Sequence, residues 1–127
     1  MEGGSGHRLI AKARELVESG WTQYADARNN GRVPVCAWSG DAVCWSLLGA
    51  LVAAYESLEA AGDTEPLPAL AAACHLLADV IDSYDLDAWN NALERTQADV
   101  LATLDAALRQ PDPTELAAEL PGRDRLN

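Results

Sequence analysis

A chain of 127 residues, 49% hydrophobic and 23% charged, suits one globular domain with a core that needs neither disulfide nor metal, and it has no apolar run of the roughly 20 residues that cross a membrane. Twenty acidic residues against nine basic ones give a net charge of −11, which excludes direct nucleic-acid binding and anionic membrane surfaces from the expected partners. Cys36, Cys44 and Cys74 form no CxxC pair, and the N-terminus lacks the basic and apolar stretches of a secretory signal, so a cytoplasmic protein with reduced thiols is expected.

Residues 1–6 read as a flexible leader, residues 7–110 as a single helical domain, and residues 111–127 as a peripheral tail containing Pro111, Pro113 and Pro121. Leu9, Ile10, Ala13, Leu16 and Val17 recur at helical spacing between Gly6 and Ser19, with Lys12, Arg14, Glu15 and Glu18 elsewhere on the wheel. This predicts an amphipathic first helix that Gly20 stops. Trp21 to Trp38 is rich in strand formers and carries Asn29, Asn30 and Gly31, a combination that favours positive φ at a hairpin tip. The expectation is a short irregular or β-hairpin insertion, in which Pro34 confines any strand to an edge.

Ser39 or Asp41 is expected to cap a second helix running to about Gly62, with Val43, Cys44, Leu47, Leu48, Leu51, Val52, Tyr55 and Leu58 spanning more than one face. That breadth makes it the expected central helix, and Gly49 within it predicts a close crossing. Asp63 to Pro68 forms a connection, after which Leu67, Leu70, Cys74, Leu77 and Ile81 mark a third helix whose narrow seam faces the second. Tyr84 to Arg95 reads as irregular. Thr96, with Asp99 completing a capping box, starts a fourth helix on the stripe Val100, Leu101, Leu104 and Leu108. The fold class is mainly α, a compact four-helix domain with its insertion after the first helix.

Gly20-Trp21-Thr22-Gln23, the tract Ala42 to Leu51 with its Cys44-Trp45 and Leu48-Gly49-Ala50-Leu51, Trp89-Asn90, and Arg95-Thr96 followed by Val100-Leu101 stand in an order that resembles a small actinobacterial and phage-associated helical family of unknown function. The resemblance covers about Arg8 to Leu108 and implies a compact, mostly helical fold without an activity to carry over. Two departures stand out. The family pattern tends to have aspartate where Asn91 stands, and its tyrosine, alanine, arginine and aspartate block is rearranged here as Tyr24-Ala25-Asp26-Ala27-Arg28.

Four tryptophans and three tyrosines with no phenylalanine are the strongest anomaly of composition. Indoles supply flat area with an N–H tip, which suits either a ligand wall or the wedging of irregular segments onto a bundle. Trp21, Trp38 and Trp89 fall in the segments read as non-helical, with Gln23, Tyr24 and Arg28 near the first and Asn90, Asn91 and Arg95 near the last. If those segments meet, Trp21, Gln23, Tyr24, Arg28, Trp45, Trp89, Asn90, Asn91 and Arg95 would line a pocket for a planar or anionic ligand. The alternative is that the asparagines satisfy helix-end amides while Arg95 pairs with Glu94 or Asp99.

His75 and Asp79 share a helical face, so His75 is a candidate catalytic base, while adjacent Cys74 lies about 100 degrees round the helix and forms no dyad with it. No CxxC, HxxxH or calcium-loop spacing is present, so no metal or cofactor is expected, and GxGxxG, P-loop and GxSxG motifs are lacking. The leading reading is a cytoplasmic module that binds a small molecule or a protein partner, as monomer or homodimer. The rivals are a small enzyme, with His75, Asp26 or Tyr24 as acid or base and Arg28 or Arg95 stabilising negative charge, and an acidic decoy that inhibits a basic protein.

Overall fold

A computed structural model describes residues 4–62 and 66–113. Helix α1 (Ser5–Ser19) leads into three two-residue strands, β1 (Ala27–Arg28), β2 (Pro34–Val35) and β3 (Cys44–Trp45). Helices α2 (Leu47–Ala60), α3 (Pro66–Ile81), α4 (Leu86–Asn90) and α5 (Gln97–Leu108) follow. The protein is mainly helical, with a small antiparallel sheet, ordered β2-β1-β3, inserted after the first helix. Among the described residues there are five helices rather than four, because Asp85 accepts a hydrogen bond from the amide of Ala88 (3.0 Å) and winds one turn where irregular chain was expected. Residues 1–3 of the expected leader, 63–65 of the connection and 114–127 of the tail lie outside the described residues.

The core forms where α1 meets α2, α3 and α5. Leu9, Ile10, Ala13 and Val17 of α1 are fully buried against Leu47, Leu51 and Ala54 of α2, Ala69, Ala73 and Leu77 of α3, and Val100, Leu104 and Ala107 of α5. Burying a leucine contributes about 1.5–3 kcal/mol, so this junction dominates the stability. The central position thus belongs to α1 and not to α2: α1 packs extensively against α2, α3 and α5, whereas beyond α1 the helix α2 meets α3 and α4 over smaller contacts. In α3 the buried stripe is Ala69, Ala72, Ala73, Leu76 and Leu77, while Leu67 is exposed. The expected seam through Leu67 and Cys74 weighed only the larger side chains. Here the small alanines face inward, where they let α1 and α5 come close.

Helix α2 begins later than expected. Its cap is Ser46, whose hydroxyl accepts from the amide of Gly49 (2.9 Å), and not Ser39 or Asp41. The residues ahead of it are drawn into strand pairing: Val43 N–H donates to Arg28 O (2.9 Å), and Trp45 N–H donates to Gly20 O (3.0 Å). A short apolar run reads equally as strand or helix, and partners decided it. Gly49 marks the crossing that was expected, since a methyl there would collide with the carbonyl of Asp26. Gly20 is needed for space as well. Its φ of 179° is ordinary extended backbone, but a side chain would strike the carbonyl of Val43.

The turn between β1 and β2 also departs from expectation. Asn29 Oδ1 accepts from the amides of Gly31 (2.9 Å) and Val33 (3.0 Å), and the left-handed residue is Arg32 (φ 70°), neither Asn30 nor Gly31. This is a β-turn followed by a left-handed residue, a common hairpin closure, carried here by an arginine despite the steric cost. Pro34 sits in the edge strand β2. Thr96 and Asp99 form the capping box of α5, with bonds of 3.1 and 3.0 Å. Beyond α5, buried Asp112 accepts from the amide of His7 (2.7 Å), satisfying a first-turn donor of α1 from the other end of the domain.

Candidate functional site

The insertion and the α4 segment come together around one side chain. Asn90 has no exposed surface, and its amide spans both pieces. Its Oδ1 accepts from Trp21 Nε1 (2.8 Å) and from the amide of Leu47 (3.0 Å), the first residue of α2. Its Nδ2 donates to Thr22 O (3.2 Å) and Asn91 Oδ1 (3.2 Å). All the hydrogen-bonding capacity of the asparagine is therefore used within the protein. Gln23 Nε2 extends the join by donating to the carbonyls of Asn90 and Ala92, both at 3.0 Å. Tyr24 closes its rim, with its amide donating to Asn91 Oδ1 (2.8 Å) and its hydroxyl to Asn91 O (3.1 Å).

Of the tryptophans, Trp21, Trp45 and Trp89 pack against the core, and Trp45 Nε1 donates to Ala37 O (2.9 Å). Arg95 lies over Trp89, its guanidinium carbon 3.8 Å from the ring centre and its Nε donating to Trp89 O (2.7 Å). It pairs with neither Glu94 nor Asp99. Asn90, Trp45, Trp89 and Arg95 line none of the hollows described below. The remaining five, Trp21, Gln23, Tyr24, Arg28 and Asn91, border two neighbouring hollows that share Tyr24.

The first hollow, about 460 Å³, is lined by Trp21, Thr22, Gln23, Tyr24, Arg28 and Arg32. Arg28 is half-buried and held by three neutral oxygens: Nε donates to Thr22 Oγ1 (3.0 Å), one terminal nitrogen to Arg32 O (3.0 Å), the other to Gln23 O (3.2 Å). A guanidinium has five N–H donors, so one remains on each terminal nitrogen. Among the described residues no carboxylate lies within ion-pair distance of it. Arg14 shows the ordinary alternative, bonded to Asp105 (2.6 Å) and Glu18 (3.2 Å), with Asp105 chiefly holding its pKa above the usual value. Three non-glycine residues among those described have left-handed backbone, and two of them, Tyr24 (φ 65°) and Arg32 (φ 70°), line this hollow.

The second hollow, about 380 Å³, is lined by Tyr24, Ala25, Asp26, Asp87 and Asn91. Burial first, then the charges of Asp26 and Asp85, push the Asp87 carboxyl above its ordinary pKa. A third, more open groove of about 460 Å³ runs between α1 and α2, with Leu16, Ala53 and Ala60 on its floor and exposed Trp38 on its wall. His75 borders none of the three. On the surface of α3 its Nδ1 meets the Tyr84 hydroxyl (2.7 Å) and its Nε2 lies 3.8 Å from Asp79. In the two hollows that share Tyr24, the lining residues that the sequence did not single out are Thr22, Ala25, Arg32 and Asp87. Thr22 and Asp87 adjoin singled-out tryptophans or lie two residues away, whereas nothing local marks the backbone twist of Arg32.

Among the described residues no three His, Cys, Asp or Glu side chains are grouped to hold a metal, and no helix is long and apolar enough to cross a membrane. The chain belongs to DUF6197, described as a family of unknown function, which matches over residues 4–110. Neither a curated protein nor a solved structure matches it.

Proposed function

We propose that this protein is a binding module and that its ligand is a small molecule with an anionic group, received in the hollow of Trp21, Thr22, Gln23, Tyr24, Arg28 and Arg32. The observation that supports this reading is Arg28: a half-buried guanidinium, fixed by three neutral oxygens, with two N–H donors left and, among the described residues, no carboxylate within ion-pair distance. Fixing the guanidinium in advance reduces the entropy cost of binding, and its two remaining donors suit the oxygens of a carboxylate or phosphate. Trp21 and Tyr24 supply flat faces beside that charge. The test is titration of tryptophan fluorescence with benzoate. Saturable quenching that Arg28→Gln abolishes supports the module; quenching of equal strength in Arg28→Gln refutes it.

A small enzyme is the second reading, and Asp87 favours it. A carboxyl raised in pKa beside Asp26 and Tyr24 can act as a general acid nearer neutral pH than an ordinary aspartate. On this reading Asp87→Asn removes turnover while ligand binding at Arg28 persists; turnover unchanged in Asp87→Asn excludes it.

A further inference from the structure

Arg32 occupies a position where a hairpin ordinarily places glycine. Its amide donates to Asn29 O (2.9 Å) and the amide of Asn29 donates to Val33 O (2.9 Å), which makes a short loop closed by one left-handed residue. Gly31 stands one position too early to take that conformation, so Arg32 takes it, at φ 70°. The turn makes no use of the side chain that bears this cost: among the described residues the Arg32 guanidinium has neither an ion-pair nor a hydrogen-bond partner. What the loop does fix is the Arg32 carbonyl, which accepts from a terminal nitrogen of Arg28 at 3.0 Å. Two covalent bonds separate that oxygen from the Arg32 α-carbon, which therefore lies within about 6 Å of the Arg28 nitrogen. From there a flexible three-methylene stem lets the second guanidinium reach an anion seated on the first. Both arginines line the same hollow of about 460 Å³, and among the described residues no acid lines it with them.

We infer that Arg32 is a second anion-binding residue of this hollow and that the ligand's anionic group is a phosphate monoester, held by Arg28 and Arg32 together. This rests on the binding reading given above. A carboxylate brings one negative charge to the two cations, whereas a phosphate monoester brings nearly two above its second pKa of about 6. Only the phosphate matches both guanidiniums. The roles of the two arginines differ: Arg28 is fixed in advance by three oxygens, and Arg32 is a free side chain on a fixed backbone that folds onto the ligand. A left-handed arginine beside an unused glycine is a cost to the turn that a ligand contact explains. The net charge of −11 opposes any anion from afar, and at about 0.1 M salt it is screened beyond about 10 Å, which leaves the nearby arginines to decide.

Benzoate and phenyl phosphate share a ring and differ in the anion, and tryptophan-fluorescence titration of the intact chain at pH 8 and about 0.1 M salt compares them. Wild type is expected to bind phenyl phosphate about tenfold more tightly, because its extra charge meets two guanidiniums, each worth about threefold across about 6 Å of near-aqueous dielectric. Arg32→Asn puts a residue that tolerates left-handed backbone in the turn, so its urea midpoint should equal or exceed that of wild type. It should weaken phenyl phosphate about tenfold and benzoate about threefold, narrowing the preference to about threefold. Arg32→Lys keeps the charge and should keep the preference. Equal affinities for the two probes in wild type, or an equal loss of both in Arg32→Asn, overturns the role of Arg32 while leaving the module intact, provided Arg28→Gln abolishes benzoate binding. Undiminished binding of both probes in Arg28→Gln, or no saturable response to either in wild type, overturns both readings.

Discussion

Asn90 and Arg28 lie on the same polar join, one on its inner side and one on its outer rim, and they are satisfied in opposite ways. Asn90 is fully buried and every donor and acceptor of its amide is matched by protein: the Trp21 indole, the start of α2, the Thr22 carbonyl and Asn91. Arg28 is held by three oxygens, but among the described residues its charge has no ion-pair partner and two of its donors are left without a protein acceptor. The same kinds of residue thus divide into a clasp that builds the fold and a charge that building alone does not require. A buried amide without partners would cost the fold dearly, so matching is enforced there. A rim arginine is under no such constraint, and its pre-set geometry calls for another cause.

The comparison breaks most easily at the clasp. Asn90→Ala leaves the Trp21 N–H, the Leu47 amide and the Thr22 carbonyl without a protein partner, at about 1–3 kcal/mol for each group that water does not reach. A loss of about 3–5 kcal/mol in urea unfolding is expected, a large part of the 5–15 kcal/mol typical of a domain. Trp21→Phe removes one donor and a little volume while Leu47 still holds Asn90, and should cost about 1–2 kcal/mol by the same measurement. Arg28→Gln sharpens the contrast from the other side. Its stability change should stay below about 1 kcal/mol, because the site is partly solvated and the lost bonds were to accessible oxygens.

The smallest effect concerns pH. Asp87 has a folded-state pKa raised above the unfolded value, so its contribution favours the fold below the ordinary carboxylate pKa and is lost as pH rises through the folded value. Asp26→Asn removes one of the charges responsible, and an NMR titration of the Asp87 carboxyl should show its midpoint move down toward the ordinary value. No movement would mean that burial and the Asp85 charge raise it without help from Asp26.

Local features were legible in the sequence. The α1 stripe of Leu9, Ile10, Ala13 and Val17 and the Thr96–Asp99 capping box are set within a few residues of chain, and both stand where their spacing put them. Gly49 signalled a close crossing, though not that the backbone at Asp26 would be what crosses it. What failed to show were features decided by distant partners. Cys44 and Trp45 form a strand, with Val43 bonded beside it, because Gly20 and Arg28 offered backbone hydrogen bonds, and α3 turned its alanines inward because α1 and α5 needed room. The polar cluster around Trp89 was visible, but its division was not: Asn90 meets Trp21 across 69 positions. That contact decides which amides are spent internally. Arg95, the alternative for which was a salt bridge with Glu94 or Asp99, places its charge over the Trp89 ring instead of pairing with either acid.

The most direct measurement of the central claim is the urea unfolding midpoint of wild type and Arg28→Gln, each with and without saturating benzoate. A ligand that binds only the folded state adds about 2.7 kcal/mol to the unfolding free energy at a hundredfold excess over its Kd, and the midpoint rises accordingly. The account predicts that benzoate stabilises wild type, that it leaves Arg28→Gln unmoved, and that the two proteins nearly coincide without it. Equal stabilisation of both, or an Arg28→Gln variant as damaged as Asn90→Ala without ligand, would contradict it.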